Sequence, residues 1–206
     1  IKFIIINNLL YRAYLNIPKK IKFDGIQNFN PIPIKKKSVN SLVKIDDHYF
    51  SKKTISSISL EMHSFEWIGE FKNAGGLDLL KKSRLLILDW NNNKFKLNSE
   101  VWSSILTARR IINLSTNFDF YGSSASEDFQ KIIINLIYFH FKHLIILNKF
   151  QVEKYDVNIE ISKSLLLTCK YFGKKNYFFN IIEFMKKQVT QQVNKHGFHK
   201  SISPVE

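Results

Sequence analysis

The stretch EVWSSILTARRIINLSTNFDF, from Glu100 to Phe120, decides the fold class of this chain. Counted at about 3.6 residues per turn, it predicts a helix on which an indole, a guanidinium and an amide share one stripe with an aliphatic side chain. That stripe consists of Trp102, Leu106, Arg109 and Asn113, with Arg110 at its edge. A stripe facing an ordinary core would be aliphatic throughout. Two interpretations stay open: a partly exposed helix whose arginines bond nearby carbonyls, or a helix that lines a polar cleft.

Helical patterns continue on both sides of this stretch, whereas strand patterns are few and no βαβ alternation is visible. The predicted helices cover 57–73, 78–90, 100–120, a long segment after Ser124, 159–172 and 176–193. The glycine pair at 75–76 is predicted to end the first of them. Successive helices with short connections predict an all-α architecture of stacked antiparallel pairs over residues 57–206.

Three polar residues are predicted to cap helices, namely Asp78, Ser99 and Ser124, the last as part of a capping box that ends at Glu127. The long helix after that box carries an apolar stripe at spacings of three and four. The stripe consists of Phe129, Ile132, Ile133, Leu136, His140 and Leu144. A histidine on such a stripe is predicted to be a core residue with satisfied hydrogen bonds. Cys169, inside the run LLLTCKYF, is predicted to be buried and inert.

Residues 1–56 differ from the rest of the chain in their pattern. Residues 1–16 predict a short helix, and the prolines that begin at Pro18 predict an extended segment that wraps the surface. The chain opens on Ile1 rather than Met and stops soon after Pro204, so we expect a fragment of a longer protein.

Composition limits the class of partner. The chain has 206 residues, and 31 Lys and Arg against 17 Asp and Glu give a formal net charge of +14, which favours polyanions. A single cysteine excludes an internal disulfide framework. No stretch has the length of a membrane-spanning helix and no cleavable leader is visible. The compartment stays open, and the cytoplasm or the periplasm of a bacterium both fit.

Several familiar sites are not visible in the sequence. It has no glycine-rich phosphate loop, no zinc-spaced Cys/His set and no Gly-x-Ser-x-Gly elbow, so neither a metal nor a cofactor is predicted. Lysines and aromatic residues interleave over 170–179, a pattern that can bind single-stranded nucleic acid. Because basic residues are spread over every helix, nucleic acid is the least favoured partner. His196 and His199 flank Gly197 and are the candidates for proton transfer.

Three segments share an order and a spacing that point to one family. The first runs from His63-Ser-Phe-Glu-Trp67-Ile through Gly75-Gly76 to Leu88-Asp89-Trp90. The second joins Trp102, Arg110 and Asn113 to Phe118-Asp119-Phe120, and the third is Gln191-Gln-Val-Asn-Lys-His196-Gly197-Phe198-His199, ending Ser203-Pro204. Over about residues 24 to 206 the chain thus resembles the N-terminal helical domain of the heparinase II/III family.

The resemblance implies an incomplete α/α toroid from a polysaccharide lyase that acts on uronate-containing glycans. In that family a C-terminal β-sandwich completes the site, and residues 1–206 do not include it. The implied reaction is β-elimination, in which a cation or amide neutralises the uronate carboxylate, a base removes the C5 proton and an acid serves the leaving oxygen. The implied partners are an acidic polysaccharide and the protein's own sandwich domain.

The resemblance also suggests roles for individual residues. Arg110 and Asn113 are predicted carboxylate ligands, Trp102 and Trp67 are predicted sugar platforms, and His199, with His196 beside it, is the remaining proton-transfer group. Further predicted substrate contacts are His63, Arg109 and Asn158.

The chain departs from the family at its catalytic positions. The Asn-His pair of active lyases corresponds to Asp156-Val157, the Arg of the Arg-Ser-Pro motif to Ile202, and the following Tyr to Glu206. Three functions therefore stay open: a lyase that is active only with its sandwich, a non-catalytic helical scaffold that binds an anionic glycan or a protein, and a basic nucleic-acid-binding protein.

Overall fold

A computed structural model describes residues 45–53, 58–93, 100–150 and 159–192. Within these ranges the secondary structure is helical and contains no strand, which confirms the all-α prediction. The predicted helix at 1–16, the cap at Ser99, Asn158 and the His196–His199 loop lie outside the described residues.

Eight α-helices and one 3-10 turn make up the described part of the chain. They are α1 (Leu60–Ser64), α2 (Trp67–Ala74), α3 (Leu77–Asn92), the 3-10 turn (Glu100–Trp102), α4 (Ser104–Thr116), α5 (Phe118–Tyr121), α6 (Glu127–Phe150), α7 (Ile159–Tyr171) and α8 (Lys175–Gln192).

Two segments predicted as single helices are broken. The segment 57–73 breaks at Phe65, which has a positive φ of 66° and separates α1 from α2. The segment 100–120 breaks at Ser103, whose backbone is extended, and again at Asn117. The side chain of Asn117 donates to the carbonyl oxygen of Asn113 at 2.9 Å, a local bond with which asparagine competes against helix continuation. The glycine pair ends α2 as predicted, with φ of 70° at Gly75.

Two predicted caps are wrong. Gly76 takes the N-cap position of α3, and Asp78 lies inside its first turn, where a carboxylate still favours the positive end of the helix dipole. At α6 the hydroxyl of Ser126 accepts from the N–H of Phe129 at 3.4 Å, while Ser124 accepts from Arg84 instead. Helix α3 therefore begins before the predicted cap Asp78, and α6 begins two residues later than a cap at Ser124 requires.

Helix α4 is the element around which the others pack. It contacts α1, α2, α5, α6, α7 and the 3-10 turn, and α7 in turn contacts α6 and α8. Most of the α6 stripe is buried as predicted, but Ile132 is exposed. Cys169 is buried as predicted, and burial raises the pKa of its thiol to about 11. In the described ranges, no helix combines the length and the apolar character needed to span a bilayer.

Candidate functional site

The side chain of Arg110 is completely buried at the centre of the described helices. Its Nε donates to Nε2 of His140 at 2.8 Å, Nη1 donates to the carbonyl oxygen of His63 at 3.0 Å, and Nη2 donates to the hydroxyl of Thr107 at 3.3 Å. The guanidinium carbon lies 4.7 Å from the ring centroid of Trp90 and 5.1 Å from that of Trp102. We call His63, Trp90, Trp102, Arg110 and His140 the Arg110 cluster.

In the part of the chain that the structure describes, the charge of Arg110 is compensated without a carboxylate. Among the described residues, neither a hydrogen bond nor an ion pair joins Arg110 to a carboxylate. Burial lowers the pKa of Arg110 to about 9, so the side chain is still a cation at neutral pH. Two indole faces, a carbonyl and a histidine nitrogen therefore compensate its charge, and each cation–π contact of a desolvated arginine contributes on the order of 2 kcal/mol.

Both histidines of the cluster are neutral hydrogen-bond acceptors. Nδ1 of His140 lies 2.6 Å from the carbonyl oxygen of Leu136, so it carries the proton and leaves Nε2 to accept from Arg110. Nδ1 of His63 accepts from the indole N–H of Trp90 at 3.1 Å. Burial, together with the charge of Arg110, lowers the pKa of His63 to about 4 and that of His140 well below its usual value. His140 is thus the satisfied core histidine that the sequence predicts.

Helix α4 also holds the corner between α1 and α2. Asn113 donates its side-chain amide to the carbonyl oxygen of Ser64 at 2.9 Å, next to the His63 carbonyl that Arg110 binds. These two carbonyls end α1, where no further helical N–H is available to them. The following residue, Phe65, is fully buried with its positive φ, a conformation that costs energy for a residue other than glycine. Two side chains one turn apart on α4 therefore fix a strained corner.

Arg109 and Arg110 differ sharply in environment. The Arg109 side chain is 39% exposed; its Nε donates to Glu160 at 2.8 Å, and Nη1 lies 3.5 Å from Glu66. The hydrogen bond to Glu160 raises the pKa of Arg109. The helical count places Arg109 on the stripe and Arg110 at its edge, whereas in the structure Arg110 is the buried residue. Arg109 instead connects α4 at the surface to α7 through Glu160 and to the α1–α2 corner through Glu66.

Five predicted substrate contacts are buried, namely His63, Trp67, Trp102, Arg110 and Asn113. Three of them meet in the Arg110 cluster, Asn113 binds the adjacent Ser64 carbonyl, and Trp67 lies outside the cluster. A sugar platform needs an exposed indole face, whereas Trp67 and Trp102 retain only 3% and 6% exposure. Trp67 donates its indole N–H to the carbonyl oxygen of Met62 at 3.1 Å. Their roles toward a glycan stay predictions, and direct contact with a polymer requires that this packing open.

Sequence reasoning gave no role to Trp90, Thr107 or Asp89. Trp90 covers one face of Arg110, and Thr107, one turn before Arg110 on α4, supplies its third acceptor. The spacing of three residues was a visible signal for Thr107. A tryptophan at the end of an otherwise aliphatic helix was a weaker signal for Trp90.

Asp89, near the end of α3, binds the segment 45–53 through hydrogen bonds. Its carboxylate accepts from the N–H of Phe50 at 2.7 Å, from the N–H of Ser51 at 3.3 Å and from the Ser51 hydroxyl. Asn93 donates its side-chain amide to the carbonyl oxygen of Phe50. The Phe50 ring is fully buried and lies 5.7 Å from the ring of His63, centroid to centroid. The segment 45–53 therefore covers one side of the Arg110 cluster.

In this conformation the polar groups of the Arg110 cluster form hydrogen bonds with other residues of the chain. The two accepting histidine nitrogens are occupied by Arg110 and Trp90, so neither can remove a proton from a substrate while these bonds persist. Across the described residues, no group of three or more His, Cys, Asp and Glu side chains could hold a metal ion.

Comparisons with protein-family models, curated proteins and solved structures find no match to this chain.

Proposed function

We propose that this chain is the helical domain of a heparinase II/III-like protein that binds an acidic, uronate-containing polysaccharide. Cleavage by β-elimination belongs to the proposal only together with a C-terminal β-sandwich. The helices are proposed to form an incomplete α/α toroid of antiparallel pairs, with residues 1–56 as a separate N-terminal segment.

One observation carries the proposal. Two of the three segments on which the resemblance rests, 63–90 and 102–120, meet at the Arg110 cluster, while the third, 191–204, lies almost entirely outside the described residues. The net charge of +14 is the second support, because a polyuronate is a polyanion.

Arg109 is the predicted ligand that a polymer reaches first. It is the one member of the predicted binding set, among its described members, that keeps substantial exposed surface. Its two carboxylate neighbours hold the guanidinium in place at the surface. A uronate carboxylate can exchange with one of them at little cost, because exposed ion pairs are weak.

Binding tests this proposal directly. Equilibrium binding of the full chain to polygalacturonate and alginate is compared with binding to dextran sulfate and to neutral dextran over a series of salt concentrations. We expect binding to the two polyuronates that weakens with salt, no binding to dextran, and a weaker complex with Arg109→Gln than with Lys131→Gln. Lys131 is an exposed cation in surface ion pairs on α6, so that variant matches the loss of charge. Equal affinity for dextran sulfate and polyuronates would contradict uronate recognition.

Catalysis is tested with the full-length protein that includes the sandwich. A rise in ultraviolet absorbance from the new double bond, with heparan-type or alginate-type polymers, is the expected result for a lyase.

A second candidate function is a non-catalytic helical scaffold for an anionic glycan or a partner protein. The observation that favours it is that His63, Arg110 and Asn113 are all engaged with the domain's own backbone or side chains. The scaffold is distinguished from the lyase by polyuronate binding without any rise in absorbance. Gel shifts with unrelated nucleic-acid sequences test the third alternative, which fails if nothing shifts even at low salt.

A further inference from the structure

The Arg110 cluster places three groups that can carry positive charge in one buried space. Arg110 is 2.8 Å from Nε2 of His140 and 3.0 Å from the carbonyl oxygen of His63. In the described part of the chain, no carboxylate contacts Arg110 or His140. The arrangement holds only while both histidines are neutral, because each accepts a hydrogen bond, His140 from Arg110 and His63 from Trp90, through a nitrogen that carries a proton in the charged ring.

The described groups that face His140 carry no negative charge. On α6 itself the nearest titratable neighbours are His143, whose Nε2 lies 3.1 Å from the carbonyl oxygen of Trp102, and Lys142, which covers the ring of Tyr138. Helix α7 packs against α6 and α4, and its Cys169 thiol lies in the neighbouring apolar cluster with Ile111 and Phe141. The remaining elements contribute Arg110 from α4, His63 from α1, Trp90 from α3 and Trp102 from the 3-10 turn.

Protonation of His140 removes the nitrogen that accepts the hydrogen bond from Arg110. In the neutral ring Nε2 is an acceptor for Arg110, whereas in the protonated ring both nitrogens are donors. Two N–H groups and two positive charges then oppose each other at 2.8 Å. Arg110 must move, and its movement also withdraws the donor that holds the His63 carbonyl at the end of α1.

The corner between α1 and α2 follows the His63 carbonyl, and its backbone is strained. Phe65 holds a left-handed backbone conformation that persists only where surrounding contacts impose it. With Arg110 displaced, the polar contacts that stay between α4 and the corner include the Asn113 bond and the exposed Arg109–Glu66 pair. We propose that the α1–α2 corner is an acid-released latch, in which protonation of His140 and His63 detaches Arg110 and moves the corner off α4, so that the Arg110 cluster becomes accessible. This device does not depend on any glycan.

The fluorescence of the tryptophans can be used to detect opening of the corner. The chain has three, and Trp67 lies at the corner while Trp90 and Trp102 flank Arg110. Acrylamide quenching of their fluorescence, measured on the full chain as pH falls from neutral, reports opening of the corner. Far-ultraviolet circular dichroism on the same samples reports whether the helices persist. We expect quenching to rise about twofold between pH 6.5 and about 4, with the helical signal retained, and to reverse at neutral pH.

Three variants separate the latch from general acid unfolding. In His140→Gln the amide oxygen can still accept from Arg110 and cannot be protonated, so the midpoint is expected to fall by about half a pH unit or more. His63→Gln is the second test and is expected to lower the midpoint in the same direction. His48→Gln changes an exposed histidine outside the cluster and is the matched control, expected to titrate like the unchanged chain. The latch is overturned if quenching does not change above pH 4, if the helical signal is lost together with the burial of the tryptophans, or if both cluster variants titrate like the control.

Discussion

Asn113 donates its side-chain amide to the carbonyl oxygen of Ser64, 2.9 Å away and 49 residues earlier in the chain. The bond is buried, and it caps the end of a five-residue helix that is too short to be stable by itself. The corner between α1 and α2 therefore depends on α4 for its geometry.

Replacement of Asn113 tests that dependence. Asn113→Ala leaves the buried Ser64 carbonyl without its donor, so we expect the free energy of unfolding in urea to fall by about 1–3 kcal/mol. Asn135→Ala, at an exposed position of α6, is the control and should change the free energy by less than about 0.5 kcal/mol. Equal effects at the two positions would show that the bond does not stabilise the corner.

Two adjacent arginines provide a matched pair. Arg110→Lys keeps the charge but loses the planar fork that reaches His140, the His63 carbonyl and Thr107 at once, so we expect a loss of about 2–4 kcal/mol in unfolding free energy. Arg109→Lys, at the surface, should cost less than about 1 kcal/mol. A larger effect at Arg109 than at Arg110 would contradict the burial assigned to these two side chains.

Asp89 is expected to control the docking of residues 45–53. Asp89→Asn removes the charge-assisted bonds to the N–H groups of Phe50 and Ser51, which corresponds to about 1.5–3 kcal/mol. Limited digestion with trypsin should then cut faster after Lys52 and Lys53, as measured by mass spectrometry. Asp78→Asn, an exposed residue of α3, is the control and should leave the cleavage rate unchanged.

Acid should destabilise the fold through the cluster histidines. Their pKa values are lower in the folded chain than in the unfolded one, so below pH 6.5 the unfolded state binds more protons and stability falls as pH falls. Each histidine contributes up to about 1.4 kcal/mol per pH unit, and for His63 the loss extends from pH 6.5 down to about 4. Urea unfolding across this range checks the slope, and His63→Gln should make it shallower. A free energy of unfolding that is flat over this range would contradict the neutral state of these rings.

The sequence predicted the helical class, the central place of the 100–120 stretch and the buried His140, because apolar periodicity and capping signals are local. It did not predict the break at Phe65. No glycine marks that corner, and the contacts that impose its backbone come from Arg110 and Asn113, more than 40 residues away.

The sequence placed Arg109 on the predicted stripe and Arg110 at its edge, whereas in the structure Arg110 is buried and Arg109 is partly exposed. Leu106 and Asn113, on the same stripe, are buried as well, so the helical count does not separate the two arginines. Burial of a guanidinium between two indoles depends on tertiary packing that no local pattern contains. The resemblance drew attention to segments that contain Trp90, Trp102 and Arg110, but it did not predict that the two indoles cover the buried guanidinium.

The most direct test of the Arg110 cluster is nitrogen-15 NMR of the histidine imidazoles at neutral pH. We predict that His140 is neutral with its proton on Nδ1, and that the shift of Nε2 moves when Arg110→Lys removes its hydrogen-bond donor. A protonated His140 at neutral pH, or a proton on Nε2, would contradict a cluster in which a neutral histidine holds the buried arginine.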